Sequence, residues 1–278
     1  MLLIGETILF SLFPVIGVKT VKVMPPLLFA ASVTMLSGVI LLAYVFYKKE
    51  FFTAFKKGVL IKLMGVVTFN MVIAASLIFW GMSKTSAIST SIMLQMEIIF
   101  TLIISSIFLG EKLNRYKVIG ALIIFFGAAG AVFDGTSFVF NSGDLLIIAG
   151  TIFYPFGNHC AKLCFNHISP VTVISLRGII GGTIMLTLSF IFEKYDVPAL
   201  VYVKDNLLEI VIYAIGVYII SKVLWYEAYK RLDLSKTIAI GHAYPAFTII
   251  FAYFMLGEKP SWYQVIGFAV IFVGLFVI

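Results

Sequence analysis

The sequence predicts an all-α integral membrane protein with ten transmembrane helices, arranged as two five-helix repeats of opposite topology. Three observations lead to this prediction: the composition, the spacing of the apolar runs, and an internal repeat. Apolar residues make up 62% of the chain and charged residues 12%, and the mean hydropathy is +1.10. These values lie outside the range that is usual for soluble domains.

Apolar runs recur along the whole chain, and each is close to the ~20 residues that a helix needs to cross the hydrocarbon core. The connections between them are short and contain turn formers, such as Asp134-Gly135. The first run lacks the basic segment and cleavage site of a signal peptide, so we expect it to be retained. The predicted helices are Leu2–Val21, Leu27–Tyr47, Leu63–Met82, Ala87–Leu109, Tyr116–Phe133, Leu145–Leu163, Val171–Phe192, Ile210–Tyr229, Thr237–Leu256 and Trp262–Ile278.

The chain is similar to itself at an offset of 147 residues. This offset aligns Leu109–Lys112 with Leu256–Lys259, both of sequence Leu-Gly-Glu-Lys, and it aligns Tyr116 with Tyr263. The repeat divides the chain into residues 1–138 and 139–278, each expected to hold five helices. Internal repeats in a membrane protein are typical of transporters, whose two halves move about a site between them.

The distribution of lysine and arginine predicts the orientation of the helices. If the N-terminus is cytoplasmic, the inside connections hold 12 of these residues and the outside connections hold 6. Positive charge accumulates on the cytoplasmic side of membrane proteins, so we expect both termini in the cytoplasm of a multi-pass cell-membrane protein. Because five is odd, the second repeat is inverted. The net charge of +7 follows from this topology, and no nucleic-acid partner is expected.

A combination of short motifs resembles a known family. The fourth predicted helix opens with Thr85–Ala87 and carries Glu97, and each half ends its fourth helix in Leu-Gly-Glu-Lys before a glycine-containing fifth helix. This pattern resembles the EamA-type transporters of the drug/metabolite transporter superfamily over essentially the whole chain. The resemblance implies a secondary transporter. In the second half, Tyr244-Pro245 occupies the place where the family often has Glu-Pro. In the first half, Ile98 follows Glu97 where the family usually has proline. A helix break is therefore expected more in the ninth predicted helix than in the fourth.

Glu97 is the carboxylate that we expect at mid-membrane depth, where charged groups usually face a cavity or a partner. Thr90 and Thr101 lie on the same helical face, and the internal repeat extends this polar stripe to the second half. The stripe predicts a central pathway lined by both halves. The alternative is that the threonines bond to their own backbone and that Glu97 pairs with a buried base. The repeat mates in the second half are Thr237, Tyr244 and Thr248.

Further polar residues in the apolar runs are candidates for the same pathway. Gln95 and His242 lie on the opposite helical face from Glu97, so we expect them to bridge to neighbouring helices, although histidine can exchange protons near neutrality. Lys222 would hold an anionic substrate group, neutralise Glu97, or extend to the membrane–water interface. Arg177 lies nearer the end of its helix and is expected to extend to that interface. The remaining candidates for substrate binding are Asn70, Tyr154, Asn158 and Trp225.

Cys160, Cys164 and His167 fall on one helical face, which is the arrangement of three zinc ligands. The cluster has no mate in the other half, so we expect no metal site. The sequence contains no phosphate-binding loop and no G-x-S-x-G or H-E-x-x-H motif, and neither an enzyme nor a cofactor is expected.

We therefore expect a secondary transporter that moves a small organic metabolite, such as an amino acid or a related amphipathic solute, by alternating access, with proton coupling as an added feature. One alternative is a transporter of an anionic phosphorylated solute or nucleotide sugar. The alternatives from other classes are a non-transporting scaffold or receptor and an intramembrane enzyme. The expected partners are the small-molecule substrate and the lipid bilayer; the sequence does not predict an oligomeric state.

Overall fold

The computed structural model describes residues 2–108, 114–131, 140–232, 237 and 241–277. Every regular element within these ranges is helical. Two of the elements are π-helical segments, Val67–Ala75 and Tyr213–Ser221. The α-helices are α1 Leu2–Phe10, α2 Leu12–Val21, α3 Pro26–Tyr47, α4 Phe51–Ala54, α5 Lys57–Val66, α6 Ser76–Met82, α7 Ala87–Met93, α8 Met96–Phe108, α9 Arg115–Ala131, α10 Ser142–Thr151, α11 Tyr154–Cys164, α12 Pro170–Phe192, α13 Ala199–Asp205, α14 Leu207–Ile212, α15 Lys222–Arg231, α16 Pro245–Leu256 and α17 Trp262–Val277.

The predicted apolar runs fall on helices wherever their residues are described. Within the described ranges, 6 continuous helical stretches are long and apolar enough to cross a membrane, by length and composition. Two shorter apolar helices, α16 and α17, add to these. The short helices α4 and α13 lie in connections and were not predicted. The chain is thus an all-helical integral membrane protein.

Glycines allow two pairs of long helices to cross at close range. A Cβ atom on Gly38 of α3 would lie 2.6 Å from the Ser175 carbonyl oxygen of α12, and one on Gly178 would lie 2.6 Å from that of Thr34. The contacts run in opposite directions along the two helices, so α3 and α12 are antiparallel. Small residues at such crossings let backbones approach where no hydrophobic effect drives association.

Helices α9 and α17 cross in the same way. A Cβ atom on Gly127 would lie 2.8 Å from the Gly267 carbonyl oxygen, and one on Gly274 would lie 2.8 Å from that of Gly120. At the offset of 147 residues Gly127 corresponds to Gly274 and Gly120 to Gly267. The two contacts therefore exchange under the sequence repeat.

Three carboxylates in connections cap the N-termini of helices from the other half of the sequence. Glu193 accepts hydrogen bonds from the backbone N–H groups of Leu27 and Leu28, at 2.8 and 3.2 Å. Glu258 accepts from those of Ala87 and Ile88, at 3.1 and 3.2 Å. A carboxylate at a helix N-terminus satisfies unpaired N–H groups and complements the helix dipole.

Glu50 is the third of these caps, and it binds the start of α12. It accepts hydrogen bonds from the Ser169 N–H and hydroxyl, both at 2.8 Å, and from the Thr172 hydroxyl. Partial burial opposes ionisation of Glu50, but the hydrogen bonds from Thr172 and Ser169 outweigh it, so the pKa of this carboxyl lies below its usual value. Glu50 follows α3 and caps α12, and Glu193 follows α12 and caps α3.

The second Leu-Gly-Glu-Lys motif has a structural explanation. Gly257 ends α16 in the left-handed conformation, with φ of 68°. Its N–H and that of Glu258 return to the carbonyls of Tyr253 and Ala252, at 3.1 and 3.2 Å, which closes the helix end. The next residue, Glu258, is then placed to cap α7. The first copy of the motif, Leu109–Lys112, lies outside the described residues.

The crossing of α9 and α17 generates a stability prediction with a matched control on the same helix. Gly127→Ala places a Cβ atom 2.9 Å from the Ile271 backbone nitrogen as well as against Gly267, and we expect it to destabilise the protein by about 1–3 kcal/mol through overpacking. Gly130 has no atom within 4 Å of its Cβ position, so Gly130→Ala gains helix propensity and should be neutral or stabilising. Thermal unfolding in detergent measures both, and equal shifts of the two variants would contradict the proposed crossing.

Candidate functional site

A cavity lies among helices from both halves of the chain. The space between its walls that no atoms fill is about 680 Å³, open solvent at its mouth included. Its walls combine aromatic rings with four formally charged side chains, a combination that suits binding of a small polar solute. The lining residues are Glu6, Phe10, Phe13, Asn70, Met71, Leu94, Glu97, Tyr154, Asn158, Arg177, Tyr218, Lys222, Trp225, Tyr226, Gly241, His242 and Tyr244.

Three of the helical stretches around the cavity are interrupted just before a proline. The break between α1 and α2 lies at Ser11, three residues before Pro14. The break between α10 and α11 precedes Pro155, and the turn at residues 242–244 precedes Pro245. Proline lacks an N–H and clashes with the preceding turn, so it ends or kinks a helix at these places.

The fourth interruption, between α7 and α8, occurs without proline. The N–H groups of Gln95, Glu97 and Ile98 bond to carbonyls three residues back, at 3.0, 3.1 and 3.0 Å. This is a turn of 3₁₀ type, which is tighter than an α-turn. Ile98, at the position of the family's proline, therefore does not prevent the break. Glu97 projects from this tightened turn.

The two π-helical segments also reach the cavity. Val67–Ala75 and Tyr213–Ser221 each span 9 residues and occupy the middle of a long helix in opposite halves of the chain. The first contributes Asn70 and Met71 to the cavity, and the second contributes Tyr218, with Lys222 following directly. Wide turns of this kind occur frequently at functional sites.

Glu97 is the centre of a hydrogen-bonded group of buried side chains. Its Oε1 accepts from Asn158 Nδ2 at 3.3 Å, and Asn158 Oδ1 accepts from Asn70 Nδ2 at 2.9 Å. His242 Nε2 lies 3.6 Å from Glu97 Oε2. A Cβ atom on Gly157 would lie 2.0 Å from Asn70 Oδ1, so only glycine leaves room for the Asn70 amide.

Glu6 is a second carboxylate in the cavity. Its side chain is 1% exposed, and Oε1 accepts a long hydrogen bond of 3.4 Å from the Ser221 hydroxyl. Glu6 Oε2 has no hydrogen-bond partner among the described residues. A buried carboxylate oxygen without a partner is costly, so it marks a place where a ligand group or water can bind.

The two basic residues of the cavity rest against aromatic rings. The Lys222 ammonium lies 4.2 Å from the centre of the Phe10 ring and 5.7 Å from that of Trp225. Arg177 donates to the Tyr226 hydroxyl at 3.0 Å and lies 5.2 Å from the centre of the same ring. Cation–π contacts of this kind hold a buried charge without neutralising it.

An EamA-like transporter family model matches residues 1–133 and 141–278, which is nearly the whole chain. The chain belongs to the EamA-like transporter family. The match covers both halves, and with them the cavity and its broken helices.

The chain is similar to proteins from bacteria, archaea and plants. It is 22% identical to the uncharacterized transporter YoaV of Bacillus subtilis, over 91% of this chain and 86% of the relative. It is 24% identical to an uncharacterized transporter of Methanothermobacter thermautotrophicus over 75% of this chain, and it spans only 61% of that relative's length. It is also 24% identical to the WAT1-related protein At3g02690, chloroplastic, of Arabidopsis thaliana, over 91% of this chain and 62% of the relative.

The fold is also similar to a solved crystal structure. The superposition gives a TM-score of 0.77 and covers 99% of this chain and 94% of the other, at 17% sequence identity. At this identity the likeness concerns the fold alone. It supports the arrangement of the helices over their full length.

The cavity brings together most, but not all, of the residues that the sequence predicts to bind substrate. Eight of the twelve candidates line it: Asn70, Glu97, Tyr154, Asn158, Lys222, Trp225, His242 and Tyr244. The four threonines do not. Thr90, Thr101, Thr237 and Thr248 are buried away from the cavity. Thr248 donates to the Ser11 carbonyl at 3.0 Å, whereas the hydroxyls of Thr90 and Thr101 have no partner among the described residues.

Two expectations about ionisable side chains were wrong. Arg177 does not extend to the interface: it is 4% exposed and lines the cavity. Glu97 is not the only carboxylate of the site, because Glu6 shares it. The sequence signal for Glu6 was a glutamate within the first apolar run, which was not among the predicted site residues. Helix α15 runs beside this helix start, with Leu224 3.6 Å from the Cβ position of Gly5, and Glu6 is therefore covered.

The cysteine and histidine cluster takes part in packing. Cys160 Sγ lies 2.6 Å from the Cβ position of Gly65, so glycine is needed where α5 and α11 meet. His167 Nε2 lies 3.4 Å from the Lys62 ammonium. Within the described ranges, no three acidic, cysteine or histidine side chains are arranged to hold a metal ion.

Proposed function

We propose that this protein is a secondary transporter that carries a small, amphipathic organic metabolite across the cell membrane by alternating access, and that it is not an enzyme. The observation that supports this most is the cavity itself, which combines buried charged groups with broken helices from both halves. Discontinuous helices around a central site are the usual construction of secondary transporters. The lipid bilayer surrounds the protein, and the substrate is its small-molecule partner; nucleic acid has no role.

The transport mechanism rests on ten membrane-spanning helices in two inverted repeats of five, divided at residues 138 and 139. The antiparallel crossings of α3 with α12 and of α9 with α17 support this arrangement, since inverted repeats pair equivalent helices in opposite directions. The exchange of Gly127·Gly267 with Gly120·Gly274 under the sequence offset supports it further. Glu50 caps α12 and Glu193 caps α3, which is a reciprocal arrangement although the offset of 147 residues does not align the two glutamates.

A cluster of aromatic side chains adjoins the cavity at Phe13. Phe13, Phe29, Phe79 and Tyr213 are all buried, with ring centres 5.1 to 6.2 Å apart. The Tyr213 hydroxyl donates to the Phe13 carbonyl at 3.0 Å, next to the break at Ser11. In the proposed orientation this cluster lies on the outer side of the cavity. Alternating access requires these rings to separate, and the helix breaks beside them provide the hinge.

Glu97 is the proposed functional charge for substrate binding or proton coupling. Its two oxygens contact Asn158 and His242, each from a different helical segment. Carboxylate and imidazole groups at membrane depth commonly form proton relays. A proton or a substrate ammonium group arriving at Glu97 would therefore change its contacts with two other helical segments at once.

A second candidate function is transport of an anionic phosphorylated solute or nucleotide sugar. Arg177 and Lys222 both line the cavity, and arginine in particular suits phosphate groups. Glu6 and Glu97 oppose this reading because they would repel a multiply charged anion. A thermal-shift screen of metabolites distinguishes the two, since stabilisation by sugar phosphates alone would favour the second function.

The proposed topology places both termini in the cytoplasm, and cysteine labelling tests it. In a background that lacks Cys160 and Cys164, Lys57→Cys should react with a membrane-impermeant thiol reagent from the cytoplasmic side and Ser142→Cys from the external side. Both positions are exposed at the start of a helix. Labelling of the two positions from the same side would contradict five spans per half.

Glu97→Gln tests the role of the carboxylate in transport. The amide keeps the size and hydrogen-bonding capacity of the side chain and removes its titration, so the variant should fold normally. With a solute identified by thermal shift and assayed in proteoliposomes, we expect flux to lose its pH dependence, or to fall about tenfold or more for cationic solutes. Glu209→Gln serves as control, because Glu209 pairs with Lys19 at 2.9 Å outside the cavity. A wild-type rate with an unchanged pH profile would show that Glu97 is structural only.

A further inference from the structure

The charged groups of the cavity balance one another. Glu6 and Glu97 are formally negative, Arg177 and Lys222 are formally positive, and all four line the same space. No direct ion pair links either carboxylate to either base among the described residues. The cavity therefore has no net formal charge, but it offers separate positive and negative positions to a ligand.

Glu6 provides a negative position that is ready to bind a ligand. Its Oε2 is buried without a partner, in contrast to Glu97, whose two oxygens contact Asn158 and His242. A Cβ atom on Gly241 would lie 3.4 Å from Glu6 Oε2 and 3.5 Å from Trp225 Nε1. A side chain at position 241 would therefore pack against both atoms, and glycine keeps this place beside the buried Oε2 free of a side chain. A ligand N–H group in this space could donate to Glu6, which is the interaction that the carboxylate lacks.

Lys222 provides the matching positive position. It lies close enough to Glu6 and Glu97 to interact with both electrostatically, yet no described residue accepts a hydrogen bond from its ammonium. The ammonium lies over the faces of Phe10 and Trp225. An ammonium group held against aromatic rings retains all three donors for an anionic ligand group.

Aromatic rings lie beside Lys222 in the cavity. Phe10 contacts Lys222 on one face and packs edge-on against Tyr244, with ring centres 4.9 Å apart. Tyr244 in turn lies next to His242, with ring centres 5.7 Å apart. The rings of Phe10 and Tyr244 thus form an apolar surface between Lys222 and His242, on which apolar parts of a ligand can rest.

We propose that the cavity binds a zwitterionic solute, in which an ammonium group donates to Glu6 and a carboxylate accepts from Lys222. This rests on the proposed transport function and specifies the substrate class. A net-neutral ligand with both groups supplies the missing partner of each side chain and leaves the charge balance intact. A pure cation or a pure anion of the same size fills one position and leaves the other charge uncompensated in a site of low dielectric constant.

The test is the thermal unfolding of the purified full-length protein with matched ligands. The probes are glycine, leucine and phenylalanine, each compared with its decarboxylated amine (methylamine, 3-methylbutylamine, 2-phenylethylamine) and its deaminated acid (acetate, 4-methylpentanoate, 3-phenylpropanoate). A ligand that binds the native state raises the unfolding midpoint. We expect at least one amino acid to raise it, while its amine and its acid at the same concentration do not.

Substitutions then test the two positions separately. Glu6→Gln should weaken binding of the amino acid by about tenfold or more and shift the preference toward the acid, because the cavity becomes formally positive. Lys222→Gln should weaken it similarly and shift the preference toward the amine. Glu209→Gln, on the same helical stretch as Lys222 but outside the cavity, should leave the preference unchanged. If a glutamine variant does not fold, Ser221→Ala and Lys222→Met perturb the same positions.

The outcomes separate this inference from the transport function. The zwitterion assignment would be overturned if only amines or only acids stabilised the protein, or if none of the probes did. It would also be overturned if both glutamine variants kept the ligand preference of the wild type. Flux of other solutes in proteoliposomes would then still support transport. If the amino acid binds, Glu6→Gln shifts the preference toward the acid and Lys222→Gln shifts it toward the amine, the assignment is supported. If the reconstituted protein then shows no flux, the transport function fails while the binding assignment stands.

Discussion

A bilayer offers no water to backbone groups, so a membrane-spanning helix can break only where protein or an internal cavity receives the freed N–H and carbonyl groups. This constraint explains where the irregular backbone of this protein lies. Four interruptions and two π-helical segments occur in separate helical stretches, and each contributes lining residues to the same cavity. The long helices that cross through glycine contacts, α3 with α12 and α9 with α17, remain regular. The broken helices thus supply most of the cavity lining, and the regular helices supply support together with Arg177 of α12.

The supporting contacts also explain why short motifs are repeated in the sequence. Gly257 closes α16 in a left-handed turn, and Glu258 then caps α7 in the other half. The second copy of the Leu-Gly-Glu-Lys motif is therefore a connection between halves, and its glutamate, Glu258, does not line the cavity. Glu50 and Glu193 make comparable connections between α3 and α12. These contacts lie in the connections, away from the cavity.

Much of the fold followed from the sequence, because apolar runs near twenty residues and a repeated turn are strong signals. The cavity was harder to predict, since helical periodicity assumes an unbroken helix. At residues 94–98 the backbone forms tight turns, so the helical face calculated for Thr90 and Glu97 does not hold across the break. Thr101 follows Glu97 within α8 and still does not line the cavity. Prolines signalled three of the breaks, but nothing local to Ile98 signalled the fourth. Glu6 and Arg177 reach the cavity through packing of distant helices, which one sequence does not reveal.

The central claim is that the buried cavity opens to each side of the membrane in turn. Met71, which lines the cavity and is 3% exposed, is a suitable reporter because its side chain is uncharged and outside the Glu97 group. The direct measurement is the reaction rate of Met71→Cys, without Cys160 and Cys164, with a membrane-impermeant methanethiosulfonate in vesicles of each orientation. The account predicts reaction from both faces, slowed by a bound solute. Reaction from one face only, or from neither, would contradict alternating access through this cavity.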